Sequence, residues 1–168
     1  ILFSLVYLVY YGGGDTTAYW DGAVTLNKLF FKSPFDYIVH LVSEPTTALR
    51  KLHFDIDTGY PPGWIYKEPE AWFICKLGSI ISFFTFRSYF AATLIFAFFT
   101  ARASWRVFHM IYTLETHNFR TAAWCILFIP SVSFWCTGIN KDTVIYFSLL
   151  NVLFYAFDFI IVKNAISI

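Results

Sequence analysis

Asp15 and Asp21 follow closely on an uncharged segment, Ile1 to Tyr11, with Gly12-Gly13-Gly14 between. Two carboxylates where an apolar stretch ends could take a proton from an acceptor hydroxyl or steady a cationic partner. A plainer role suits the same position, since Asp15 can cap a helix that starts near Thr16. On such a helix the spacing does not oblige Asp15 and Asp21 to share a face. The glycines supply backbone freedom rather than a phosphate loop, because no strand precedes them and no Lys-Ser or Lys-Thr follows.

A second set is Asp55-Ile56-Asp57, directly behind His53 and Phe54. It offers oxygen ligands to a divalent cation that would neutralise a phosphate, or else forms a solvated acidic loop. His40, His109 and His117 lack a metal-ligand spacing such as H-E-x-x-H and read as interfacial or structural. Lys141, beside Asp142 and a few residues after Trp135, could meet an anionic headgroup or a lipid-linked phosphate. Anchoring by Trp135 and snorkelling by Lys141 explain the same residues without a ligand.

The elements that must hold these groups are those of a membrane protein. Apolar residues make up 58% of the chain and charged ones 14%, against roughly 25% charged in ordinary soluble domains. Thr143 to Val162 carries Asp158 as its only charge and is long enough to cross a bilayer as one helix. Ile1 to Tyr11 would reach about 16 Å as a helix, roughly half of the hydrocarbon thickness. The chain is therefore expected to begin inside a span, and to be a piece of a longer protein that also continues past Ile168.

Between residues 12 and 70 lies a long polar and amphipathic region. Helices are expected over Thr17 to Phe31, over Phe35 to Val42, and from Pro45 with Thr46 or Thr47 near the cap, all lying along the membrane surface. Glycines and prolines argue for irregular loop from Asp55 to Pro69. Ala71 to Phe84 and Ser88 to Ala101 would together span about 46 Å as one helix, so two antiparallel spans joined at Arg87 are expected. Glu115 to Arg120 reads as a polar connection and Gly138 to Asp142 as a turn. The expected architecture is all-α: a polytopic transmembrane bundle with spans 1–11 (truncated), 71–86, 88–108, 121–137 and 143–162, and interfacial helices in a long first loop, 12–70.

Asn151 and Asp158 share a face of the last span and should look toward protein. Cys75, Cys125 and Cys136 sit in apolar surroundings and act as small hydrophobes. The many aromatic rings fall mostly inside apolar runs, where packing and interfacial belts account for them. A net charge of +1 with scattered Lys and Arg gives no footprint for nucleic acid. Charge distribution votes against placing residues 12–70 outside, although loops of that length follow the positive-inside tendency weakly.

The order of a first span, an external loop carrying Gly12-Gly13-Gly14-Asp15 with surface helices, and then closely spaced spans resembles bacterial polytopic glycosyltransferases of the GT-C type and related exopolysaccharide and O-antigen polymerase-like proteins. The stretch Pro130-Ser131-Val132 to Trp135, then Gly138 to Lys141-Asp142, is similar to membrane proteins grouped with them. The resemblance implies an enzyme of the bacterial inner membrane whose partners are membrane lipids, a polyprenyl-phosphate-linked sugar and a glycan acceptor. It further implies Asp15, with Asp21, in the catalytic role and Lys141 or Arg87 handling phosphate. Such enzymes have many more spans than this chain. The alternative is a non-catalytic membrane subunit or transporter segment in which the same polar residues serve helix packing.

Overall fold

The computed structural model describes residues 1–114 and 119–166, with side chains described for 1–113 and 119–160. The protein is helical over 80% of its length, with no strand among the described residues. Helices α1 (Leu2–Leu5), α2 (Asp15–Lys32), α3 (Pro34–Val42), α4 (Thr47–His53), α5 (Gly63–Lys67), α6 (Pro69–Phe84), α7 (Tyr89–Leu114), α8 (Phe119–Leu127), α9 (Pro130–Trp135) and α10 (Lys141–Ile166) follow in order. A π-helical turn, Val6–Tyr10, extends α1. Contacts divide the chain into two units, 1–95 with 138–141, and 96–137 with 142–168.

The first unit is organised by α2 and α6. Thr16, Tyr19, Trp20, Ala23, Leu26 and Leu29 make one buried stripe along α2, the helical period expressed as burial. Two glycines bring the backbones together: a Cβ at Gly22 would lie 2.7 Å from Cys75 Sγ, and one at Gly78 would lie 2.9 Å from Ala23 Cβ. Residues rising along α2 meet residues rising along α6, so the two run parallel. The chain between them must therefore return along the unit, and α3, α4 and α5 make that return.

Local chemistry sets each of these helices. Ser33 accepts the Asp36 N–H ahead of Pro34 at the first helical position of α3, and Thr46 accepts the Leu49 N–H at the start of α4, both ordinary cap arrangements. Lys76 donates to the Ser43 carbonyl at the end of α3 at 3.1 Å, a cation at the negative pole of a helix. Sequence reasoning left 55–69 as loop, yet Gly63–Lys67 is helical. Ile65 and Tyr66 are buried there, and burial fixes a turn that local propensity does not announce.

The second unit packs Ala103, Val107 and Met110 of α7 and Leu150 of α10, with Ile126, Tyr146 and Phe154 around them. Its expected span 121–137 is interrupted: α8 ends at Leu127 and α9 begins at Pro130, because proline cannot donate to the turn before it. Asp158 is exposed and the Asn151 amide donates to its own helix at Phe147 O, 2.8 Å away. Asn151 is half-buried, and Phe147 and Phe154 on the same face pack against the core, so that face looks toward protein over its first turns and is open at Asp158.

One helix, Lys141–Ile160, is long and apolar enough to cross a membrane, and only 11% of its best window is buried. Pro69–Phe84 and Tyr89–Thr113 reach that standard only together, and the chain bends by 110° between them. The break at Arg87 is where the sequence placed it, but the two helices neither continue nor double back as antiparallel spans. Arg102 and Arg106 lower the hydropathy of α7. One or two candidate spans thus stand among the described residues where five were expected. The polar connection expected at Glu115 to Arg120 lies mainly outside the described residues.

Candidate functional site

The glycine run takes backbone angles that other residues avoid. Gly12, Gly13 and Gly14 have φ of +63°, +134° and +149°, backbone that only glycine adopts readily. A Cβ on Gly14 would also stand 2.9 Å from the Tyr7 ring. Gly14 N–H donates to Thr17 Oγ1 at 2.9 Å, and that hydroxyl donates back to Gly14 O at 2.8 Å. Thr17, not Asp15, therefore caps α2. Asp15 is the first helical residue, exposed, where a carboxylate favours the helix dipole. Asp21 stands six residues on, about 9 Å along the axis and about 120° around it, so the two carboxylates are not a pair. Partial burial pushes the Asp21 carboxyl above its ordinary range.

The other end of α2 meets Arg87. Here α6 closes with Arg87 N–H donating to Ser82 O at 3.2 Å, the six-to-one bond of a Schellman cap. In that cap the left-handed position falls to Phe86, φ +50°, and Arg87 follows at +61°. Left-handed backbone costs a side-chain-bearing residue about 1–2 kcal/mol. Arg87 Nε donates to Asn27 Oδ1 at 2.7 Å, and its guanidinium lies 5.3 Å from the centre of the Phe31 ring. Since arginine only donates, the Asn27 amide must turn its oxygen to Arg87. Its Nδ2, fully buried, then has no partner.

Two adjoining recesses share Phe31 and Arg87. One, of about 330 Å³, is walled by Asn27, Ser82, Phe83 and Phe86. The other, of about 420 Å³, adds Lys28, Lys32, Asp57 and Thr58. Arg87 and Asp57, two of the sequence candidates, thus reach one place. Lys28, Lys32 and Asn27 went unnoticed in the sequence, where Lys28 and Lys32 looked like scattered surface charge. Their spacing of four on α2 was the available signal.

Asp55 holds the turn that contains it. Its Oδ1 accepts from the Asp57 and Thr58 N–H groups, each at 3.1 Å, and its Oδ2 pairs with Lys32. The Lys32 ammonium and the Thr58 donors hold the Asp55 carboxyl down at about 2. Among the described residues no three His, Cys, Asp or Glu side chains converge as a metal site. Asp55 and Asp57 form the solvated, hydrogen-bonded loop.

Lys141 donates to Glu68 Oε2 at 3.1 Å. Glu68 precedes the first residue of α6 while Arg87 lies just past its last, so about 24 Å of helix separates the two cations expected to handle phosphate. Asp15 and Asn27, the contact of Arg87, are likewise about 18 Å apart along α2. Asp15 and Lys141 therefore do not belong to the Arg87 site.

A further cluster escaped the sequence because its members come from three helices. His53 Nε2 lies 3.7 Å from Asp36 Oδ1, His53 Nδ1 lies 3.2 Å from His40 Nε2, and His40 Nδ1 lies 3.3 Å from the Tyr66 hydroxyl. The Asp36 contact is at ion-pair distance and is not a hydrogen bond. His40 thus bridges the His53 ring and the Tyr66 hydroxyl through its two ring nitrogens. Burial among Phe54, Tyr66 and Trp72, then the neighbouring His53, with Lys76 adding to both and Asp36 opposing, brings the His40 imidazole down to about 4. Burial likewise pushes the Tyr66 phenol up to about 12.

No family model matches the chain, and neither a curated protein nor a solved structure matches it.

Proposed function

We propose that this chain belongs to an integral-membrane enzyme of glycosyl transfer or glycan polymerisation that draws on a polyprenyl-phosphate-linked sugar. The observation that carries this reading is the recess lined by Arg87, Lys28 and Asp57, with Lys32 in its wall paired to Asp55, in a chain with a helix able to cross a bilayer. Cations placed together suit a phosphate leaving group, and a carboxylate beside them can take the proton of an acceptor hydroxyl. Transfer breaks the bond from the sugar's anomeric carbon to the phosphate oxygen and makes one to the acceptor oxygen. Sugar and phosphate are adjacent in such a donor, so the base must stand beside the cations. Asp57 meets that condition, and Asp15, about 18 Å along the helix from Asn27, does not.

The test is surface-glycan length and quantity in a strain dependent on the full protein. Asp57→Asn and Lys28→Gln are expected to lower both at unchanged protein level, with Asp15→Asn close to the unsubstituted protein. Loss on Asp15→Asn alone, with Asp57→Asn active, would overturn the assignment.

The ion pairs favour a second reading. Lys141 is taken by Glu68 and Lys32 by Asp55, which is what a non-catalytic subunit using polar groups for packing would show. Copurification in a fixed ratio with a larger assembly, together with normal glycan from Asp57→Asn, would establish it.

A further inference from the structure

The turn that joins α6 to α7 places bulk where the backbone favours none. Phe86 occupies the left-handed position of a Schellman cap, where glycine is the ordinary residue. Its ring contributes almost nothing to packing, being 94% exposed. Phe84, at 76%, and Phe31, at 67%, are exposed as well, and Phe31 and Phe86 wall the same recess. Strain kept in order to hold a ring away from the protein points to a contact outside it.

Charge surrounds these rings. The guanidinium of Arg87 spends its Nε on Asn27 and keeps its two terminal nitrogens for another acceptor, while Lys28 is exposed one residue further along α2. Lys32 is neutralised by Asp55, and Asp57 lies across the larger recess. Among the described residues the smaller recess has Arg87 as its one charged side chain, and Asn27 Nδ2 in its wall is buried with no partner among them. Apolar rings beside cations match an interface where acyl chains begin just below anionic headgroups.

We propose that this turn docks on the surface of a bilayer carrying anionic lipids, with Phe31, Phe84 and Phe86 entering the boundary between headgroups and acyl chains and Arg87 with Lys28 holding a lipid phosphate. The proposal rests on the membrane part of the functional reading but not on transfer chemistry. It also makes the α6–α7 bend an interfacial feature, not the middle of a broken span.

Full-length protein carrying Phe86→Trp, reconstituted into phosphatidylcholine bilayers with and without phosphatidylglycerol, tests it through quenching by lipids brominated at different chain depths. The quantity read is the quenching beyond that of the unsubstituted protein. Shallow bromines are expected to quench about twofold more than terminal ones, and more strongly with phosphatidylglycerol present. Lys28→Gln should remove that lipid dependence. Strongest quenching by terminal bromines, quenching by aqueous iodide alone, protection from both, or indifference to phosphatidylglycerol would each overturn the proposal. If Phe86→Trp does not fold, Phe84→Trp gives the same readout. Independently, Phe86→Gly should raise Tm in detergent, and a fall would show that the ring serves folding. Glycan loss on Asp57→Asn with an undocked turn would leave the enzyme reading standing without this one.

Discussion

A single imidazole shows how far burial alters a residue's chemistry in this protein. His40 is held neutral between His53 and Tyr66, at about 4, whereas an unfolded chain titrates it near the ordinary histidine value of about 6.5. The unfolded state therefore binds more protons between those two values. Stability is fully present above about pH 6.5 and is lost as pH falls toward about 4, a change on the order of 3 kcal/mol. Urea unfolding of the protein at pH 7 and pH 4.5 should show the loss, and His40→Gln should remove most of the difference. If the two profiles keep the same pH slope, His40 is not the group that titrates. None of this could be read from the sequence, where His40 is one histidine in an apolar run.

At the scale of the element, α2 and α6 are joined through Gly22 and Gly78. Adding a methyl group at either should force the backbones apart or displace Cys75 or Ala23. Gly22→Ala and Gly78→Ala are each expected to destabilise by about 1–3 kcal/mol, as overpacking does, read as a lowered denaturation midpoint. An unchanged midpoint would mean that the helices do not approach so closely. Helix positions were legible here: α2, α3 and α4 fall close to where apolar spacing and the Thr46-Thr47 pair put them. What stayed hidden was partner choice. Lys32 with Asp55, and Lys141 with Glu68, join residues far apart in sequence, and neither spacing nor charge count selects among the available opposite charges. The Asp55-Ile56-Asp57 stretch left cation ligands and a solvated loop both open, because a sequence does not show that one Asp55 oxygen accepts two backbone N–H groups.

For the whole molecule the question is how many times the chain crosses a bilayer. Among the described residues, Lys141–Ile160 is the helix that qualifies alone. Leu153→Lys, near its middle, should oppose insertion by about 2.5–3.5 kcal/mol, visible as reduced membrane integration in a glycosylation-mapping assay. The same substitution at exposed Leu52, in α4, should change integration little. Equal effects at both sites would remove α10 from the role of a span.

Composition and periodicity were enough to establish an all-helical, strongly apolar chain with one helix of bilayer length, because burial preference and the helical repeat are local properties. They also located the break at Arg87 and narrowed the α4 cap to Thr46 or Thr47. Only the tertiary structure decided that Asp15 and Arg87 stand far apart, that Asp57 and Lys28 join Arg87, and that His53, His40 and Tyr66 form one hydrogen-bonded row with Asp36 beside it. Those facts depend on how α2 and α6 lie against each other and on the path of the return through α3 to α5. Contacts between elements are set by the packing of many side chains at once, which no local pattern encodes.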